Sequence, residues 1–166
     1  MLINQTLSNR LFDFIMPYIT NLDYWRIPLF LVWLALIIFG GRKGRTTALL
    51  VVIILTLSDQ LSSAVIKPWI NRLRPCFALE NVRLLIAQSS SPSFPSSHAA
   101  NNAAMAALFS IRYKRYTALF ISIALLVSYS RIYVGVHYPS DVLGGILIGI
   151  LCCTAILLPV GYFGRR

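Results

Sequence analysis

The sequence predicts an all-α fold: an integral membrane helical bundle with about five transmembrane helices plus an N-terminal interfacial amphipathic helix. Three observations lead there. Of 166 residues, 57% are hydrophobic. Only 12% are charged, against about 25% in soluble domains. Four stretches are long and apolar enough to cross a bilayer, more than a soluble core of this size requires. The length suits one domain, expected over residues 1–166 with its polar motifs between 67 and 141.

Leu7, Leu11, Phe14, Ile15 and Tyr18 recur at helical spacing with Asn9, Arg10 and Asp13 between them. That pattern predicts a helix lying at the membrane interface. Met1–Arg10 lacks the basic-then-apolar layout of a cleavable signal. Expected spans follow at Trp25–Gly40, Thr46–Ile66, Tyr116–Val134 and Val142–Val160. A fifth, Ala99–Ile111, is shorter and rich in Ala and Asn, as suits a helix buried among others. Gly144, Gly145 and Gly149 read as close helix packing. Ser89–Ser97 reads as an exposed loop, and Leu84-Leu85-Ile86 before it as a segment resting on the membrane.

The net charge of +10 does not indicate nucleic acid, because eight of the fifteen basic residues fall in three short clusters. These are Arg42, Lys43 and Arg45; Arg112, Lys114 and Arg115; Arg165 and Arg166. Each follows an odd-numbered span, so all three share one side, which the positive-inside rule makes cytoplasmic. The 67–98 and 131–141 regions then face outward. Cys152 and Cys153 are adjacent in the last span and Cys76 is far off in sequence, so no disulfide framework is implied.

The chemistry sits in those outward regions. Lys67 and Arg74 are seven apart, one helical stripe if the second span continues past Pro68, whereas Arg72 is rotated away and reads as a snorkelling interface residue. Arg131 arrives from the end of the fourth span. Three such cations suit a phosphate with two or three charged oxygens. Ser96 in Pro95-Ser96-Ser97-His98 is a candidate N-cap whose helix offers free amides, with His98 in its first turn. Pro139 suits the first position of another helix, making Tyr138 its cap and placing Asp141 in the first turn. From there the Asp141 carboxylate can orient His137 and leave the other ring nitrogen to attack. Asp59, within the second span, either supports Lys67 electrostatically or forms a structural polar knot with Gln60 and Asn101, and the knot is the favoured reading.

Lys-x6-Arg-Pro, Pro-Ser-x-His and Ser-Arg-x5-His-x3-Asp, spanning 67 to 141, resemble the type 2 phosphatidic acid phosphatase superfamily. It includes lipid phosphate phosphatases, undecaprenyl diphosphate phosphatases and lipid A phosphatases. The family often has Gly where this chain has Ser97. The resemblance implies that Lys67, Arg74 and Arg131 hold the phosphate, with Ser96 and Ser97 assisting. It makes His137 the nucleophile of a phosphohistidine intermediate, Asp141 its orienter and His98 the general acid. It also implies no metal and no cofactor, and no second carboxylate lies near the motifs to build a two-metal site.

The function expected is therefore an integral membrane lipid phosphatase, a phosphomonoesterase or diphosphatase. It would be multi-pass in a bacterial inner membrane, with its site facing the periplasm. Lipid A 1-phosphate, undecaprenyl diphosphate and phosphatidylglycerol phosphate all fit as substrates, with no nucleic acid and no obligate protein partner. Two other classes share the cation cluster: an anionic-lipid binding or transport protein that does not hydrolyse, and a vanadate-dependent haloperoxidase-like enzyme.

Overall fold

The computed structural model describes residues 2–87 and 90–163, and among them it is helical without strands. A wide turn at Leu2–Thr6 precedes α1 (Arg10–Thr20), and α2 (Leu22–Phe39) follows at once. α3 (Gly41–Gln60) runs into a π-helical stretch, Leu61–Ile66, and on through α4 (Lys67–Ile70). After the short α5 (Pro75–Ala78) and a loop come α6 (Ser97–Arg112), α7 (Thr117–Tyr133) and α8 (Pro139–Phe163). Gln88, Ser89 and the Arg165–Arg166 cluster lie outside the described residues.

Among the described residues, four segments are long and apolar enough to cross a membrane: Leu22–Phe39, Gly41–Ala78, Lys114–Tyr133 and Pro139–Pro159. The chain is thus a multi-pass membrane protein. α6, at 16 residues, is about 24 Å long and shorter than the roughly 30 Å hydrocarbon layer. It sits among α3, α7 and α8, where its alanines are buried: Ala99, Ala100 and Ala104 are wholly enclosed. Small side chains let backbones approach, and this is the main source of helix association in lipid. The partner surface on α8 is glycine. A Cβ on Gly145 would stand 2.5 Å from the Ser96 carbonyl oxygen, one on Gly144 2.6 Å from the Phe94 ring, and one on Gly149 would overlap the Ala100 carbonyl. Gly149→Ala should therefore force α6 and α8 apart at a cost of about 1–3 kcal/mol. A lowered melting temperature in detergent would register it, and an unchanged one would contradict the packing argument.

The amphipathic helix at the N-terminus exists as α1, with Leu11, Phe14 and Tyr18 exposed as an apolar strip. Its other face does more than rest on an interface. Met16 packs with Tyr133, Val134 and Val136, and Phe12 and Ile19 border that cluster. Asn4 then clamps the following loop: its amide donates to the Arg83 and Tyr133 carbonyls at 2.8 and 2.7 Å and accepts from Arg83 N at 2.9 Å. Asp13 pairs with the Arg83 guanidinium and accepts from the Tyr133 hydroxyl. The loop expected to lie on the membrane is consequently turned inward, with Leu85 and Ile86 packed on the α1–α7 cluster.

One expectation about the second span fails. The helix does not carry Lys67 and Arg74 on one stripe: it ends at Ile70, Asn71 adopts a left-handed conformation (φ 47°), and Arg74 is extended at the cap of α5. The chain reverses there because Pro75 disfavours a helical Arg74. The two cations still meet, through a turn rather than a stripe.

Candidate active site

The ends of α4, α6 and α7 and the loop after α7 surround a cavity of about 590 Å³. Lys67, Arg74, Ser97, His98, Arg131 and His137 all line it. Ser96 does not. It is wholly buried as the N-cap of α6, with its hydroxyl accepting from Ala99 N at 3.4 Å and its amide donating to the Asp141 carbonyl at 3.0 Å. Its place is to join the starts of α6 and α8 and thereby hold Ser97 and His98 at the wall.

The three cations are buried: Lys67, Arg74 and Arg131 are 6%, 4% and 7% exposed. Their contacts go to neutral oxygens. Lys67 donates to the Pro92 carbonyl at 3.0 Å. Arg74 donates to the Ser91 carbonyl at 2.8 Å, the Ser91 hydroxyl at 3.0 Å and the Val136 carbonyl at 3.2 Å. Arg131 donates from one terminal nitrogen to the Thr20 hydroxyl at 2.6 Å, while its buried Nε has no partner. None of the three pairs with a carboxylate among the described residues. Buried charges without counter-ions cost several kcal/mol each, a cost that an oxyanion placed among them would offset.

His137 follows a turn in which Gly135 takes φ +84°, a conformation only glycine adopts readily. A Cβ there would also strike the Arg83 carbonyl. The ring's Nδ1 lies 3.6 Å from Asp141 Oδ2, just beyond bonding range and close enough to tighten when the ring gains charge. Nε2 is 3.4 Å from an Arg74 terminal nitrogen, on the cavity side. Asp141 is fully buried and fixed by three donors: the Ser93 hydroxyl, the Tyr138 amide at 2.9 Å and Arg72 at 2.8 Å. The Tyr138 bond is one half of a capping box, as Pro139 at the first helical position foretold.

Arg72 is thus not a snorkelling residue. Its guanidinium stacks 3.9 Å from the centre of the Tyr138 ring and also donates to the Ser140 hydroxyl at 2.8 Å. Position on a helix misplaced it, because the helix has already ended before residue 72. Asp59 accepts from Asn101 at 3.2 Å, which is one contact of the polar knot expected. Thr20, Ser91 and Ser93 also serve the site, and no spacing rule in the sequence pointed to them.

Burial drives the ring of His137 down to a pKa of about 4, with Arg131, Arg74 and Lys67 adding to the shift and Asp141 opposing it. Burial and the same cations take His98 to about 3. Both imidazoles are therefore neutral at pH 7, and with its proton on Nδ1, towards Asp141, His137 carries its lone pair on Nε2.

The fold and site together define a membrane-embedded, cation-lined pocket with an imidazole at its wall. Residues 45–165 match the PAP2 superfamily model, and the chain belongs to that superfamily. Its fold is similar to the crystal structure of Aquifex aeolicus LpxE, with a TM-score of 0.80 and 33% identity over 94% of this chain and 90% of that one. It is 33% identical over 145 residues to phosphatidylglycerophosphatase B of Bacillus subtilis, covering 80% of this chain. It is 29% identical over 146 residues to a lipid A 4′-phosphatase of Bacteroides thetaiotaomicron, covering 82% of this chain. The chain spans 68% and 64% of those two relatives' lengths.

Proposed function

We propose that this protein hydrolyses a phosphomonoester or diphosphate of a bacterial envelope lipid through a phosphohistidine on His137, without a metal. The observation that carries the reading is the meeting of three buried, carboxylate-free cations with His137 Nε2 at one cavity wall. Nε2 attacks phosphorus, the P–O bond to the lipid breaks, and its electron pair goes to the departing oxygen, which takes a proton from His98. Water then attacks the phosphohistidine, His98 accepts its proton, and the P–N electron pair returns to Nε2. Lys67, Arg74 and Arg131 hold the oxygens throughout, and Asp141 stabilises the charge that grows on the ring.

His98 must carry a proton to play this part, and its burial among the cations holds it neutral. A bound phosphate brings negative charge against the same cations and offsets their share of the pKa depression, while burial, the larger cause, stays in place. The His137 nucleophile needs no such help. After correction for the substrate's own second phosphate ionisation, the acid limb of kcat/KM should therefore lie below the 6.5 of a free histidine, towards the value of about 4 for His137; a corrected limb at 6.5 would contradict the buried, neutral nucleophile.

The relatives' names include lipid A and phosphatidylglycerol phosphate phosphatases, and undecaprenyl diphosphate fits the same chemistry. Phosphate release from these lipids by purified protein in EDTA tests the function. Binding without release would favour a carrier, and loss of activity in EDTA would overturn metal independence.

The residues 42–45 and 112–115 lie at the bundle end opposite the cavity, and we infer that the cavity faces the periplasm of an inner membrane protein. With Cys76, Cys152 and Cys153 replaced by alanine, Ser90→Cys should react with an impermeant thiol reagent in spheroplasts and Lys43→Cys should not. Reversed labelling overturns the orientation.

Thr20 lies before the matched family region, yet its hydroxyl aims Arg131. Thr20→Val removes that acceptor at constant shape, and a buried bond to a charged group is worth about 1.5–3 kcal/mol. KM should rise roughly tenfold or more with kcat less affected, and Thr20→Ser should retain wild-type behaviour. An unaltered KM in Thr20→Val would remove α1 from the site.

A further inference from the structure

The end of the bundle opposite the catalytic cavity holds a second concavity of about 460 Å³. Lys43 of α3, Ile111 and Arg112 at the end of α6, and the Tyr113–Tyr116 turn line it. Its electrostatics run against ordinary helix design. Arg42 and Lys43 occupy the first turn of α3, and Lys114 and Arg115 directly precede α7; neither helix has an acid in its first turn. The N-terminal end of a helix is its positive end, where cations are disfavoured. No carboxylate occurs anywhere in residues 40–58 or 99–140 to compensate.

Setting topology requires only that positive charge be present on a loop. It does not require the charges to be ordered, which costs side-chain entropy. Here three of the cations, Arg112, Lys43 and Arg115, have partners at the concavity. Arg112 donates to the Thr47 hydroxyl at 3.1 Å, the Thr46 hydroxyl at 2.7 Å and the Lys43 carbonyl at 3.2 Å. The Lys43 ammonium stands 4.7 Å from the centre of the Tyr113 ring, and Arg115 lies 6.0 Å from that of Tyr116.

We propose that this concavity binds the phosphate headgroup of an acidic membrane lipid from the leaflet opposite the catalytic one. A phosphodiester oxyanion supplies the missing negative charge, and basic pockets between membrane helices bind such headgroups. The choice of a lipid over a free anion rests on the rim. Ile111 and Tyr116 are each more than half exposed there, and Leu119, three residues further along α7, is exposed on the lipid side. An acyl chain anchored at the pocket thus runs directly onto an apolar strip. The lipid would brace α3, α6 and α7 at one end, and those helices lead to Lys67, His98 and Arg131 at the other.

The test is native mass spectrometry of the full-length protein released from micelles containing phosphatidylglycerol in a phosphatidylcholine background. Phosphatidylglycerol is a phosphodiester and offers no monoester to the catalytic cavity. The wild type should retain one phosphatidylglycerol in preference to phosphatidylcholine. Each interfacial cation contributes roughly a fivefold preference, so Arg115→Gln should lose about fivefold and Lys43→Gln/Arg115→Gln more. Lys67→Gln should retain the wild-type preference, and both basic-pocket variants should keep wild-type turnover in detergent, which also shows that they fold. Equal retention in the wild type and the double variant would overturn the proposal. So would loss of the lipid in Lys67→Gln, which assigns it to the catalytic cavity. Displacement of the lipid by millimolar inorganic phosphate would make the site a free-anion site.

Discussion

His137→Ala should lower turnover of a lipid phosphate by about 10⁴-fold or more while leaving the protein folded. The size of the loss follows from the site's composition. Arg74 and Arg131 are guanidiniums with no nucleophilic lone pair, the Lys67 amine is held against the Pro92 carbonyl, and Asp141 is enclosed by Ser93, Tyr138 and Arg72. Ser97 lines the cavity, with its hydroxyl 3.1 Å from that of Ser63, but no base stands behind it to activate it. The remaining imidazole, His98, has no carboxylate behind its ring among the described residues. Phosphate release at saturating lipid measures the loss, and an unchanged melting temperature shows that it is chemical. A variant that kept a tenth of wild-type turnover would remove His137 from the covalent step.

His98→Ala should separate substrates by their leaving groups. A lipid alkoxide is a poor leaving group, and donating a proton to it is typically worth about 100- to 10,000-fold. A nitrophenolate departs without that help. The variant should therefore lose about 100-fold or more on a lipid monoester and far less on p-nitrophenyl phosphate. His137→Ala should lose both alike, since attack comes first. Equal losses for His98→Ala on the two substrates would reassign His98 to phosphate binding.

Much of this site was legible in the sequence because its parts are local. Pro139, Tyr138 and Asp141 form a helix start whose geometry is fixed within four residues, and Ser96 caps α6 by the same kind of rule. The spans were legible because apolarity and length alone define them. What the sequence hid depends on where the chain turns. Arg72 was misread because a continuous helix was extrapolated through Asn71, and the left-handed turn there brings Arg72 onto Asp141 instead. Thr20 and Ser93 lie 111 and 48 residues from the groups they serve, and a hydroxyl has no periodicity to betray its partner. The loop at Leu85 and Ile86 looked lipid-facing because its apolarity was plain and its receptor, the Met16–Tyr133 cluster, forms only on folding.

The direct test of the account is to trap the phosphoenzyme. Purified wild-type protein mixed with lipid phosphate, quenched within milliseconds in alkali and digested, should yield a phosphopeptide that is alkali-stable and acid-labile, with the modification on His137 by mass spectrometry. His137→Ala should give none. Phosphate found on His98 or Ser97, or steady turnover with no phosphopeptide from any quench time, would contradict covalent catalysis through His137.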